Sequence, residues 1–129
     1  MLPPDETAGP RILIVDDLKS NLRLLEQTLR RAAYVEVMST LDPREVAALH
    51  LQHRYDLILL DLQMPEMDGF EVMAELQEVR DENPVAILVL SADPAQKKAA
   101  LAAGADAFMG KPFRLPEVVE RVQGILGAV

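Results

Sequence analysis

The chain has 129 residues, half of them apolar and 26% charged, with a formal net charge of −8 and no cysteine. That length supports one hydrophobic core without covalent staples. The lack of cysteine excludes a disulfide framework and a thiolate metal site and fits a reducing, cytoplasmic setting. The acidity argues against direct nucleic-acid binding and against an anionic membrane surface, since both need clustered Lys and Arg.

Met1 to Pro10 carry three prolines, a glycine and two acids. They read as a disordered leader, without the basic start and apolar stretch of a signal peptide. The longest apolar runs are strand-length, far below the roughly 20 residues of a membrane span. Ile12-Leu13-Ile14-Val15 is a short apolar run of the kind that forms a strand buried on both faces. Leu18, Leu22, Leu25 and Leu29 then recur at helical spacing. Glu36 to Thr40 predicts a weaker strand near a sheet edge. Asp42-Pro43-Arg44-Glu45 predicts a helix start, with Asp as N-cap, Pro at the first position and Glu closing a capping box, and the helix runs to about His53.

Leu57 to Leu60 predict the third strand, ending at Asp61. Gln63 to Asp68 read as loop. Asp68-Gly69-Phe70-Glu71 starts a helix that reaches about Asp81 before Asn83-Pro84 breaks it. Ala86 to Leu90 predict the fourth strand, ending at Ser91. Asp93-Pro94 repeats the Asp-Pro helix start, and Gly104 caps that helix. Ala105 to Met109 predict a fifth strand, followed by Lys111-Pro112. Leu115, Val118, Val119, Val122, Ile125 and Leu126 form the stripe of a last helix. Strict strand–helix alternation requires a parallel sheet covered by helices on both faces. The expected fold is therefore α/β: a doubly wound, flavodoxin-like, three-layer (βα)5 unit over residues 11–127, with strand order 2-1-3-4-5.

In such a sheet, ligands bind outside the carboxyl ends of the strands, where the order reverses. The notable polar residues fall on that edge. Asp16 and Asp17 follow strand one, Asp61 strand three, Ser91 strand four and Lys111 strand five. Three converging carboxylates raise one another's pKa unless a cation intervenes. An all-oxygen set suits Mg2+, with Mn2+ as the alternative. His50 and His53, three apart, are assigned to their helix rather than to a metal. Acids, a hard cation, a lysine and a hydroxyl are the parts that stabilise a transferring phosphoryl group, and a carboxylate can act as its nucleophile.

These motifs resemble the receiver domain of two-component response regulators. The carrying segments are Ile14-Val15-Asp16-Asp17, Leu59 to Gly69 around Asp61, Leu90-Ser91-Ala92, Gly104 to Phe108, and Lys111-Pro112-Phe113. The resemblance implies that Asp61 is the phosphoacceptor for a sensor histidine kinase or a histidine phosphotransfer protein. It implies Mg2+ held by Asp17 and Asp61 with the backbone carbonyl of Gln63, and by Asp16 through water. Ser91 and Lys111 would contact the phosphoryl oxygens, and the Lys111-Pro112 bond would be cis. Ser91 and Phe108 would form the switch, with Phe in place of a common Tyr biasing the ring inward. Gln63 and Asp93 would tune the lifetime of the acyl phosphate, although Asp93 reads equally well as a plain helix cap. The protein is then a phosphoacceptor switch with intrinsic self-phosphorylation and autodephosphorylation chemistry, rather than an enzyme. Lys97 and Lys98, with Glu117, Glu120 and Arg121, read as solvated faces. They also lie on the helix 4–strand 5–helix 5 surface that relatives use for dimers or partners.

Two other classes share parts of this pattern. A haloacid dehalogenase-type phosphatase needs a second acid two residues after its nucleophile, where Gln63 stands. A flavodoxin-like cofactor binder wants a glycine- or hydroxyl-rich loop after strand one, where Asp16-Asp17 would repel phosphate. A receiver-like module that never turns over would be expected to lack one of the five active-site residues, all of which are present.

Overall fold

A computed structural model describes residues 9–64 and 67–127. The expected leader lies outside the described residues except for Gly9 and Pro10. Five strands form one parallel sheet: β1 (Arg11–Val15), β2 (Glu36–Thr40), β3 (Leu57–Asp61), β4 (Ala86–Ser91) and β5 (Ala107–Gly110), in the order β2-β1-β3-β4-β5. The helices are α1 (Lys19–Arg31), α2 (Val46–His53), α3 (Gly69–Val79), α4 (Lys97–Ala102) and α5 (Leu115–Leu126). The expected fold class and strand order are both observed.

The period of two along β1 sorts its side chains onto two faces. Ile12 and Ile14 pack with Leu22, Leu25 and Leu29 of α1 and with Val118 and Val122 of α5. Leu13 and Val15 pack on the other face with Val46 of α2 and with Val72, Met73 and Leu76 of α3. β3 is buried along its whole length, as a central parallel strand must be. Each fully buried Leu or Ile here contributes about 1.5–3 kcal/mol of transfer free energy. Met64 joins the second cluster, and Met67 packs against it, so both fill the gap between loop and core as their flexible side chains suit them to do. Leu18 does not belong to the stripe of α1. It is the residue before the helix and is 54% exposed.

The structure departs from the sequence reading in four places. Pro43–Glu45 and Pro94–Gln96 are 3-10 turns that precede α2 and α4 rather than their first α-helical turns. In each, the preceding Asp accepts from the N–H two residues on: Asp42 from Arg44 at 2.9 Å and Asp93 from Ala95 at 3.0 Å. This tight Asx geometry selects the narrower helix. The capping box at Glu45 does not form, because the Glu45 carboxylate accepts from the Thr40 hydroxyl instead. Asp68 does cap α3, accepting from Glu71 N–H at 3.0 Å, but α3 ends at Val79, two residues short of the expected end. β5 starts at Ala107 rather than Ala105. Asp106 replaces a ladder carbonyl there: its carboxylate accepts Ile87 N–H at 2.8 Å and the Arg80 guanidinium.

Gly104 caps α4 with a φ of +117°, a conformation that penalises any residue with a Cβ. Gly69 is needed for closeness. A Cβ there would lie 2.8 Å from Leu62 Cα and 3.1 Å from the Asp61 carbonyl oxygen. The start of α3 thus sits directly against the end of β3.

Candidate functional site

The strand registers level the carboxyl edge. Val15 pairs with Thr40 and with Leu60, Asp61 with Leu90, and Ser91 with Gly110. The residues that end or follow these strands are therefore neighbours in space. Carboxylate oxygens of Asp16, Asp17 and Asp61 lie within 4.8 Å of one another. Lys111 Nζ is 3.4 Å from Asp61 Oδ1 and 3.9 Å from Asp16 Oδ2. Lys111 is held by its own N–H, which donates to the Ser91 carbonyl at 2.7 Å. The Lys111-Pro112 peptide bond is cis.

Asp61 is only 3% exposed. Burial pushes its carboxyl above the ordinary Asp value. The Lys111 charge and the Gln63 N–H, which donates to Oδ1 at 3.2 Å, pull it back, and Asp16 pushes it further up. The acids thus carry more negative charge than one lysine compensates. An all-oxygen donor set, close and partly desolvated, fits a hard divalent cation and not a soft one. Asp16 is also a local clamp. One of its oxygens accepts Leu18 N–H at 2.9 Å and the other accepts the Asn21 amide at 3.3 Å. The capping reading and the metal reading of Asp16 are therefore compatible. Asp17 and the Gln63 side chain are exposed at the rim.

Ser91 is fully buried. Its hydroxyl donates to Gln96 Oε1 at 2.6 Å and accepts Asp93 N–H at 3.1 Å. Gln96 went unnoticed in the sequence, though a signal was present. Thr40-Leu41-Asp42-Pro43-Arg44-Glu45 and Ser91-Ala92-Asp93-Pro94-Ala95-Gln96 are the same hexapeptide pattern. At the first, the Thr40 hydroxyl donates to Glu45 and accepts Asp42 N–H at 3.0 Å. The fold builds this corner twice. Phe108 pairs with Val89 and is 7% exposed within the cluster on the α2–α3 side. A fully exposed ring would have counted against an inward bias; the ring is buried. Lys97, Lys98, Glu117, Glu120 and Arg121 are all exposed, as expected of solvated faces.

His50 is the second residue whose role the sequence concealed. It is fully buried and accepts Tyr55 N–H on Nδ1 at 3.1 Å, so Nε2 carries the hydrogen donated to the Asn83 carbonyl at 2.8 Å. It ties α2, the start of β3 and the α3–β4 loop together at the opposite edge from the acids. An imidazole with one protonated nitrogen offers the one acceptor and one donor that these two bonds use.

A doubly wound sheet whose carboxyl edge gathers three aspartates, a lysine and a buried hydroxyl defines a phosphorelay-type signalling module. The family profile "Response regulator receiver domain" matches residues 12–123, and the chain belongs to that family: it is a two-component signalling receiver with an acidic pocket. Among curated relatives, the transcriptional regulatory protein PrrA of Mycobacterium tuberculosis is 38% identical over 118 residues, covering 92% of this chain and 50% of PrrA. ResD of Bacillus subtilis, also a transcriptional regulatory protein, is 38% identical over 122 residues, 95% of this chain and 50% of ResD. The chain spans about half the length of these relatives. Their names leave the expected exclusion of nucleic acid without support for the protein as a whole. Among solved structures, chemotaxis protein CheY4 of Vibrio cholerae superposes with a TM-score of 0.82 at 33% identity, over 92% of this chain and all of that one. The receiver domain of sensor histidine kinase PA1611 of Pseudomonas aeruginosa, with a magnesium ion coordinated in its active-site cleft, gives 0.82 at 30% identity over 93% and 99%. Among the described residues, no helix is long and apolar enough to cross a membrane.

Proposed function

We propose that Asp61 accepts a phosphoryl group from the phosphohistidine of a sensor histidine kinase or of a histidine phosphotransfer protein, and that residues 11–127 act as a cytoplasmic switch unit. The observation that carries this is the buried Asp61 carboxylate at the end of β3, with Lys111 Nζ at 3.4 Å and two further aspartates around it. An Asp61 carboxylate oxygen attacks phosphorus in line. The P–N bond breaks, and its electron pair returns to the donor imidazole. Lys111 and the Ser91 hydroxyl stabilise charge on the phosphoryl oxygens.

Asp16, Asp17, Asp61 and the Gln63 carbonyl would hold Mg2+ or Mn2+, which offsets the acid cluster and the charge of the transferring oxygens. The same residues support self-phosphorylation from a small acyl phosphate. Reset is by water attack on the phosphorus of the acyl phosphate, with Gln63 and Asp93 governing access. The aspartyl phosphate draws on the Ser91 hydroxyl and shifts the packing of Phe108 between two states. The α4–β5–α5 surface, with Lys97, Lys98, Glu117, Glu120 and Arg121, passes that state to a partner or a second copy.

The test is intact mass after incubation with acetyl phosphate and Mg2+. The wild-type chain gains one phosphoryl group, and Asp61→Asn gains none. Equal gains by both would overturn the assignment.

A further inference from the structure

We propose that Gln96 is a positioning residue that holds the Ser91 hydroxyl hydrogen in reserve and sets how readily the site takes up a phosphoryl group. The inference rests on the reading of Asp61 as phosphoacceptor and names a regulator of that same site.

A serine hydroxyl has one hydrogen to donate. In the phosphoryl-free chain, that hydrogen points to Gln96 Oε1 at 2.6 Å, while the Asp93 carbonyl at 3.5 Å is at the limit of a bond. The hydroxyl is fully buried, so water does not readily take the place of either partner. Donation to a phosphoryl oxygen beside Asp61 therefore requires loss of the Gln96 bond. The two acceptors compete for one hydrogen, and the strength of the Gln96 bond counts directly against phosphoryl binding.

The duplicated corner shows why the acceptor type matters. Thr40 occupies the same place as Ser91, with the same N–H donated to its oxygen from two residues on. Its acceptor is the Glu45 carboxylate. A hydrogen bond to a carboxylate is roughly twice as strong as one to a neutral amide. The corner on β2, which borders Asp16 and stands two strands from Asp61, has the strong acceptor. The corner beside Asp61 has the weak, uncharged one, which yields its hydrogen and adds no negative charge where an anion must bind.

Beryllofluoride, an analogue of the phosphoryl group, is the probe, titrated calorimetrically in excess Mg2+. Gln96→Ala and the near-isosteric Gln96→Met both remove the acceptor, and the pair guards against a packing defect in either. Both tighten binding roughly 2- to 10-fold, the range of one net hydrogen bond. Gln96→Glu weakens it by more than about 10-fold, through the charge-assisted bond and repulsion of the anion. In a Ser91→Ala background, Gln96→Met changes affinity less than about twofold, since no hydrogen is left to compete for. A purely structural role for Gln96 would move affinity equally in both backgrounds, and that result overturns the proposal. So does unchanged affinity in Gln96→Ala and Gln96→Met while Asp61→Asn abolishes binding; the phosphoacceptor reading then stands alone. Wild-type binding that survives Asp61→Asn overturns that reading and the Gln96 proposal with it.

Discussion

The corners at Thr40 and Ser91 share a hexapeptide pattern, a 3-10 turn and a hydroxyl bonded five residues ahead, yet they stand in different surroundings. Thr40 closes the edge strand β2, and Ser91 ends β4, next to the strand that carries Asp61. The local sequence builds the corner, and the topology decides whether it becomes chemistry. A serine that satisfies every local structural demand is therefore not excluded from function. Its structural bonds are what a phosphoryl group must displace.

The largest expected effect separates the two corners directly. Ser91→Ala slows phosphorylation by acetyl phosphate about 10-fold or more, because one donor to the transferring oxygens is lost. Thr40→Ala leaves that rate within about twofold and lowers stability by roughly 1 kcal/mol, the usual worth of a buried hydrogen bond. Time-resolved intact mass and urea melts measure the two quantities. Equal kinetic losses in both variants would show that the corner acts through shape alone.

The sequence reading reached this architecture because its elements are locally consistent. Apolar runs of strand length, Asp-Pro starts and helical stripes all point to one fold. The ends of β2 and β3 followed from the residue pattern, and the convergence of Asp16, Asp17, Asp61 and Lys111 from strand order. What stayed hidden depended on side chains meeting across distance. Asp106 takes a ladder position on β4 and so delays β5. Glu45 turns to Thr40 and so leaves the capping box open. His50 bonds two backbone groups, one of them 33 residues away. Gln96 looked like an ordinary helical residue because its partner is defined by a corner, not by a period.

A second difference is what each corner borders. Burial holds Asp61 above the ordinary Asp range. With its folded-state pKa raised, the folded chain binds more protons than the unfolded one between the two values, so stability falls as pH rises through that window. Asp61→Asn therefore stabilises the metal-free protein at neutral pH, by on the order of 1 kcal/mol. The gain vanishes once the pH is below the ordinary Asp range, where both forms carry an uncharged side chain. Thermal melts of both proteins across pH, in chelator, check this. A less stable variant at pH 7 would mean that the Lys111 pair outweighs desolvation.

The smallest effect tests whether the charge on Glu45 is what distinguishes the corners. Glu45→Gln gives the Thr40 corner the neutral acceptor found beside Ser91. The Thr40 hydroxyl keeps its bond but loses the charge assistance, which lowers stability by about 0.5–1 kcal/mol. Phosphorylation by acetyl phosphate stays unchanged, because this corner stands two strands from Asp61 and its hydroxyl is bonded to Glu45. If Glu45→Gln costs nothing in a urea melt, the carboxylate is not the stronger partner, and the amide at Gln96 cannot be read as the weaker one. The contrast between the corners would then reduce to position alone.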